Sequence, residues 1–270
     1  MSYGDFREYL ARDGLSIKTI RIYLYRLAQI EDWCKFIGSN INELTALELA
    51  RYVDSTPNST STRRHIQSTL TRYWAMTGRT DPPVGAVRVP PKPYMVCRAL
   101  EEDGARRLAQ VAQGWWPQGT AVLMAMYLAM RREEIAEARW DRFDGNREWY
   151  TVQGKGSVVA TLPVHPALRR ELIGRQNGTA YVFEGLGARD HVAPGTVWTW
   201  VRQVAEEAGL GTISPHVLRH TALATANDRT GNLRAVQTFA RHARPETTAG
   251  YTRTTAARLQ EVMFALDYLE

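Results

Sequence analysis

Five of the thirteen residues in DPPVGAVRVPPKP, residues 81 to 93, are proline. Each proline removes a backbone donor and pushes the residue before it out of the helical region. No long helix or inner strand tolerates that density, so the stretch reads as an extended linker. It leaves about 80 residues before it and about 175 after it, enough for two modest domains. The boundaries expected are a helical domain over residues 1 to 80, a proline-rich linker over 81 to 94 and a second domain over 95 to 270.

The part before the prolines has the period of helices. SIKTIRIYLYRLAQIEDWCKFIG starts at a Ser16 cap and stops near Gly38. Between them Ile20, Tyr23, Leu24, Leu27, Ile30, Trp33 and Cys34 recur at three and four. TALELARYVDS and STSTRRHIQSTLTRYWAMTG are two more helices with Ser or Thr starts. The net charge is +6, and residues 1 to 94 hold 13 basic against 9 acidic side chains, so most of the excess lies here. A small basic four-helix unit on a tether suits one half of a clamp on a duplex. Lys18, Arg63, Arg64 and Arg72 are its candidate DNA contacts; an ordinary solvated charge face is the plainer reading.

Other classes fall away on composition. No apolar run approaches the roughly 20 residues needed to span a bilayer, so no membrane partner is expected. MSYGDFREYLARDG lacks a basic segment followed by an apolar one, so no signal peptide is read. Cys34 and Cys97 have no metal-ligand spacing and read as reduced thiols of a cytoplasmic protein.

The part after the prolines is mixed. GTAVLMAMYLAM, residues 119 to 130, is apolar on all sides and predicts a buried helix. EWYTVQGKGSVVATLPV, residues 148 to 164, predicts two strands joined by Gly154-Lys155-Gly156. GTVWTWVRQVAEEAGL is amphipathic, and TAARLQEVMFALDYL carries a stripe of Leu259, Val262, Met263, Leu266 and Leu269.

SPHVLRHTALATA, residues 214 to 226, is the stretch richest in chemistry. Ser214 is a good N-cap and Pro215 suits the first helical position. His216, Arg219 and His220 then share one face of the first turns, where free amides and the helix dipole favour an anion. The dipole also disfavours imidazolium at His216 and keeps it available as a base. A metal fits less well, because Arg219 between the two histidines repels a cation. Arg131 ends the apolar run and needs a partner, a phosphate or the carboxylate of Glu134 one turn on. Lys155 sits between glycines at a hairpin tip. FARHARPETTAGYTRTT carries His242 and, nine residues later, Tyr251.

Each of these residues alone has a structural reading: a cap, an ion pair, an exposed turn lysine, a core tyrosine. Together they fit transfer of a phosphodiester to a tyrosine. Arginines bind the non-bridging oxygens and offset charge in the transition state. A hydroxyl with a pKa of about 10 needs a base, here His216. The leaving 5′ oxygen needs a proton donor, a role for Lys155.

This constellation resembles the tyrosine recombinase, or phage integrase, family over nearly the whole chain. YLAMRREEIAEARW is similar to the first arginine box and implies Arg131, not Arg132, as the first catalytic arginine. QGKGSVVATLPV resembles the hairpin of the catalytic lysine, Lys155. HVLRHTALATA resembles the His-x-x-Arg-His box, implying His216 and Arg219 as active-site residues and a supporting role for His220. VQTFARHARPETTAGYTR resembles the last box, with His242 in the His/Trp position and Tyr251 as nucleophile. Ala240 and Arg241 stand where the family usually has Leu-Gly; the expectations are that Arg241 contacts the DNA backbone or that the turn there differs in shape. YLARDGLSIKTIRIYLYRLAQIEDW is similar to the first helices of the core-type DNA-binding domain, and it begins so early that a short form without an arm-binding domain is expected.

The resemblance implies a mainly α fold with a small antiparallel sheet. A four-helix core-binding (SAM-like) domain and a tyrosine-recombinase catalytic domain would form a C-shaped clamp on a double-stranded DNA core site. It implies a homo-tetramer on DNA, weak or monomeric without it, and a 3′-phosphotyrosyl intermediate that needs no ATP, metal or other cofactor. The C-terminal stripe is expected to contact a neighbouring protomer or to pack on its own domain. Integration or excision of phage or mobile-element DNA is the leading expectation. An Xer-type resolvase, a type IB topoisomerase and a non-catalytic DNA-binding regulator are the alternatives.

Overall fold

The structure, a computed structural model, describes residues 3–55, 59–90, 99–153, 159–176, 178–185, 190–241 and 256–269. Lys155, His242, Tyr251 and Cys97 lie outside the described residues. The chain divides into two compact units, Met1–Met95 and Val96–Glu270.

Among its described residues the first unit holds four helices, α1 (Tyr3–Arg12), α2 (Ile17–Phe36), α3 (Ala46–Ser55) and α4 (Thr60–Thr77). Their ends follow from local chemistry. Ser16 and Ser59 accept from the N–H groups of Thr19 and Thr62 at 3.3 and 3.2 Å. Thr45 and Glu48 cap α3 reciprocally: the Thr45 N–H donates to Glu48 Oε2 at 2.8 Å, and the Glu48 N–H to Thr45 Oγ1 at 3.2 Å. Phe6, Leu10, Leu27, Ile30, Leu49, Ile66, Leu70 and Trp74 make one buried cluster. Trp74 hides its polar edge by donating from Nε1 to the Ile41 carbonyl at 3.0 Å.

The proline-rich stretch departs from the expected free linker over its first half. Val84–Ala86 forms a 3-10 turn, Val87 is buried, and Val84, Ala86 and Val89 pack beside it on the helical core. Four apolar side chains between the proline pairs are the reason: burial outweighs the freedom of an extended strand. Arg63 and Arg64 reinforce this strap, donating at 3.3 Å to the carbonyls of Arg88 and Pro90.

Among its described residues the second unit is mainly helical with one two-stranded antiparallel sheet. Its elements are α5 (Glu102–Ala112), α6 (Gln118–Tyr127), α7 (Arg132–Ala136), β1 (Trp149–Gln153), β2 (Val159–Pro163), α8 (Pro166–Leu172), α9 (Pro194–Glu207), α10 (Pro215–Thr230), α11 (Leu233–Ala240) and α12 (Ala256–Phe264). The strands pair from Trp149 with Pro163 to Gln153 with Val159, and the expected lysine hairpin tip lies outside the described residues.

Helix α6 is the centre. Every residue from Gly119 to Met130 is buried, and α5, α8, α9 and α10 pack around it. Gly119 lets α6 start against the end of α5, since a Cβ there would lie 1.9 Å from the Ala112 carbonyl oxygen. The helix ends at Tyr127, three residues earlier than its apolar run predicts. Leu128 closes it, and Ala129 turns the chain at φ 44°. Apolar content alone does not carry a helix past a left-handed residue.

The C-terminal stripe is used inside its own unit. Leu259, Val262 and Leu266 join the same core as Phe239, with α12 against α10, α11 and β2. Arg229 pins the following segment, donating to the carbonyls of Ala265 and Asp267 at 3.1 and 3.0 Å and to Glu102 at 2.7 Å. Phe264 stays 61% exposed. Among the described residues no helix is long and apolar enough to cross a membrane.

Candidate active site

Helix α10 begins as its sequence predicts. Ser214 is the N-cap, Pro215 the first residue, and the Ser214 hydroxyl accepts from the Val217 N–H at 3.4 Å. This places His216 on the surface and Arg219 inside, 3% exposed. A pocket of about 350 Å3 opens at this helix start, lined by Arg131, Arg132, Glu133, Trp198, Ser214, Pro215, His216 and Arg219. Two arginines 88 residues apart in sequence thus meet one histidine at the positive end of a helix.

Arg131 is positioned from the start of α7. Its backbone N–H donates to Glu134 Oε2 at 2.8 Å and its Nη1 to Glu134 Oε1 at 2.7 Å. The Glu134 side chain is 7% exposed and that of Arg131 35%, so the carboxylate is the buried anchor and the guanidinium reaches the pocket. Burial raises the Glu134 pKa, but Arg241, the Arg131 N–H and the Arg131 guanidinium outweigh it and hold the carboxyl below its ordinary value.

Arg219 is held by two helix ends. Its Nη1 donates to the Ala129 carbonyl, just past α6, and its Nη2 to the Ala240 carbonyl, the last of α11. Carbonyls at helix C-termini lack intrahelical partners and carry the negative end of the dipole, so a guanidinium between them satisfies both. Burial, with Arg241 and Arg131 nearby, pushes the Arg219 pKa down to about 9. It stays charged at neutral pH, in surroundings where an anion relieves the repulsion.

The expectation that Arg241 contacts the DNA backbone is corrected by the structure. Its side chain has no exposed surface. It donates to the carbonyls of Leu128, Ala129 and Phe239 at 3.1, 2.9 and 3.2 Å, and from Nη2 to Glu134 Oε2 at 2.9 Å. Three carbonyls and a carboxylate outcompete water for a guanidinium that can reach them all.

His216 and His220 touch through their Nε2 atoms at 2.9 Å, with the rings edge to face at 79°. One Nε2 donates to the other, so the contact fixes both rings, with His216 lining the pocket. Among the described residues, no three His, Cys, Asp or Glu side chains gather to hold a metal.

In the first unit, Arg72 pairs with Asp13, and Arg63 lies 3.7 Å from Asp54 in addition to its strap contact. Lys18 is exposed on α2. The arginines sit on that unit's own partners while remaining partly open to solvent. Arg132, Glu133 and Trp198 are lining residues that the sequence reading missed. The first two adjoin Arg131 and were within reach of it; Trp198 enters one turn into α9 with no spacing to mark it.

Known proteins resemble this chain in sequence and in fold. The model of the phage integrase family matches residues 98–258, more than half of the chain. The tyrosine recombinase XerA of Pyrococcus horikoshii is 25% identical, over 96% of this chain and 91% of that protein. Among solved structures, a lambda integrase (75-356) dimer bound to a COC′ core site aligns with a TM-score of 0.70 and 17% identity, over 94% of this chain and 98% of that one. A lambda integrase tetramer bound to a Holliday junction aligns at 0.68 and 16% identity, over 93% and 79%. At such identities the structural likeness is one of fold. With the family model matched over residues 98–258, the chain belongs to the phage integrase family, the tyrosine recombinases.

Proposed function

We propose that this site-specific tyrosine recombinase seats the scissile phosphate of a double-stranded DNA core site in the pocket at the start of α10. Arg131 and Arg219 bind the non-bridging oxygens. The Tyr251 oxygen attacks phosphorus and its proton passes to His216, whose ring is oriented by its contact with His220. The bond to the 5′ oxygen breaks, and that oxygen takes a proton from Lys155. A 3′-phosphotyrosyl link and a free 5′ hydroxyl result, with His242 completing the site. The 5′ hydroxyl of a partner strand then attacks the link, re-forming a phosphodiester and returning the tyrosine. The bond energy is conserved in the covalent intermediate, so no nucleotide cofactor enters the balance.

The observation that carries this reading is the convergence of two guanidiniums and an imidazole on one pocket at a helix N-terminus. Two strands meeting in exchange call for several active sites at once, which supports assembly as a homo-tetramer on DNA. The same fold in a lambda integrase tetramer on a Holliday junction is consistent with it. The first unit, with its basic excess, is proposed to hold the other side of the duplex through Lys18, Arg63, Arg64 and Arg72. Integration or excision of phage or mobile-element DNA is the biological reaction proposed. Xer-type resolution is the second reading, favoured by the end-to-end likeness to XerA.

A nicked suicide duplex carrying the recognition site tests the chemistry. A covalent protein–DNA band is expected with the unaltered chain and is lost in Tyr251→Phe. A band that survives this change rules out Tyr251 as nucleophile. Joining of two separate duplexes, against deletion between two direct sites on one plasmid, separates integration from resolution. Relaxation without strand exchange would mark a topoisomerase instead.

A further inference from the structure

Arg241 closes α11 in the left-handed region, at φ 53°. Glycine is the usual residue there, because a Cβ is disfavoured in that conformation. An arginine kept in it must be held by what its side chain reaches. Here the side chain reaches across 107 residues to Glu134 and across 112 to the Ala129 carbonyl. Glu134 is the same carboxylate that grips Arg131 through both backbone and guanidinium. Arg241 does not line the pocket. It stands behind the residue that does.

Glu134 thus sits between two cations, one buried and one facing the pocket. Its two oxygens are divided: Oε1 takes the Arg131 guanidinium, and Oε2 takes Arg241 together with the Arg131 N–H. Removing Arg241 frees the carboxylate to rotate and to carry the Arg131 guanidinium with it. Cleavage needs that guanidinium within a fraction of an ångström of its place.

We propose that Arg241 is a positioning residue for DNA cleavage, setting the Arg131 guanidinium through the shared carboxylate of Glu134. The proposal rests on the assignment of Arg131 as a phosphate ligand. Arg241 itself touches neither DNA nor the reacting atoms.

The test is single-turnover cleavage of the nicked suicide duplex at saturating protein, with DNA affinity and melting temperature measured in parallel. The proteins are the full-length wild type, Arg241→Met, Arg241→Lys, Arg131→Ala and the double variant Arg131→Ala/Arg241→Met. Methionine keeps the apolar stem and removes the charge. Arg241→Met is expected to slow cleavage by about 10²-fold with little change in DNA affinity. In the Arg131→Ala background the same change should cost less than about threefold, because the group it positions is already gone. Arg241→Lys, which keeps a cation beside Glu134, should recover part of the rate. Should the methionine variant not fold, the lysine variant carries the test: wild-type cleavage by it, together with wild-type cleavage in Glu134→Gln, overturns the proposal. Full additivity in the double variant, or wild-type cleavage by a folded Arg241→Met, also overturns it. If Arg131→Ala itself cleaves normally, the phosphate-ligand assignment fails, whatever Arg241 does.

Discussion

Glu134 holds Arg131 at two points, accepting from its backbone N–H at 2.8 Å and from its Nη1 at 2.7 Å. The first bond caps α7 and the second aims the guanidinium, so one carboxylate sets both the chain and the side chain. Breaking a buried pair leaves uncompensated charge, which costs about 3–5 kcal/mol; Glu134 also neutralises Arg241, whose side chain has no exposed surface, so the upper end applies. Glu134→Ala is therefore expected to destabilise the second unit by about 5 kcal/mol and to slow cleavage. Glu134→Gln retains an oxygen for the backbone N–H and should be milder in both. Urea unfolding of the two variants checks the order; equal losses would mean that the oxygen kept by glutamine contributes nothing and that the lost charge accounts for the whole effect.

Arg219→Lys separates charge from geometry. The arginine joins the Ala129 and Ala240 carbonyls with two nitrogens of one plane. An ammonium is a point donor that does not span them, and a buried carbonyl left unpaired costs about 1–3 kcal/mol. The variant should lose that much stability and about 10²-fold in cleavage rate while keeping its net charge. Binding to DNA, measured by gel shift, should change little. A large loss of binding with normal chemistry would contradict the assignment.

Much of this site is legible along the chain, and the reasons are local. Ser214 and Pro215 are read correctly as cap and first residue of α10, and helical spacing brings His216 and Arg219 to its first turns, because these signals all act within six residues. Glu134 is found because it lies one turn from Arg131. Arg241 is misread because its partners are far away. Nothing near residue 241 announces that the ends of α6 and α11 meet, or that their carbonyls need a cation. The proline-rich stretch fails for a similar reason: its prolines speak of extension, while Val84, Ala86, Val87 and Val89 answer to a core formed by other elements. Trp198 is one of eight tryptophans, and only packing distinguishes it.

Gly119→Ala should damage the whole second unit without touching the pocket. The added Cβ would lie 1.9 Å from the Ala112 carbonyl oxygen and 2.9 Å from its Cα. Both are backbone atoms, so no side-chain rotation relieves the clash, and α6 must shift within a buried layer. A loss of at least about 3 kcal/mol is expected, seen as a lowered melting temperature or as insoluble protein. Gly114→Ala is a poor control because Gly114 has φ 70°, whereas Gly145→Ala meets open space and should be near neutral. If Gly119→Ala melts with the unaltered chain, the close approach of α5 and α6 is wrong.

His165 predicts an acid-sensitive step in stability. It caps α8 by accepting the Ala167 N–H at its Nδ1, 3.2 Å away, and it stacks on Tyr127 with ring centroids 4.2 Å apart. Burial lowers its pKa from 6.5 to about 4, with Arg170 adding to the fall and Asp267 opposing it. In the unfolded chain the ring takes up a proton near its ordinary value, while the folded protein resists until about pH 4. The unfolded state therefore binds more protons between those values, and stability drops as pH falls through that window. Below the folded value the loss levels off, at about 3 kcal/mol for this one group. Asparagine also caps helices and does not titrate, so His165→Asn should flatten the curve between pH 6.5 and 4 while leaving acid loss from carboxylates in place. Urea unfolding at half-unit pH steps reads the difference. Parallel curves for the two proteins would mean that the imidazole is not held neutral in the fold.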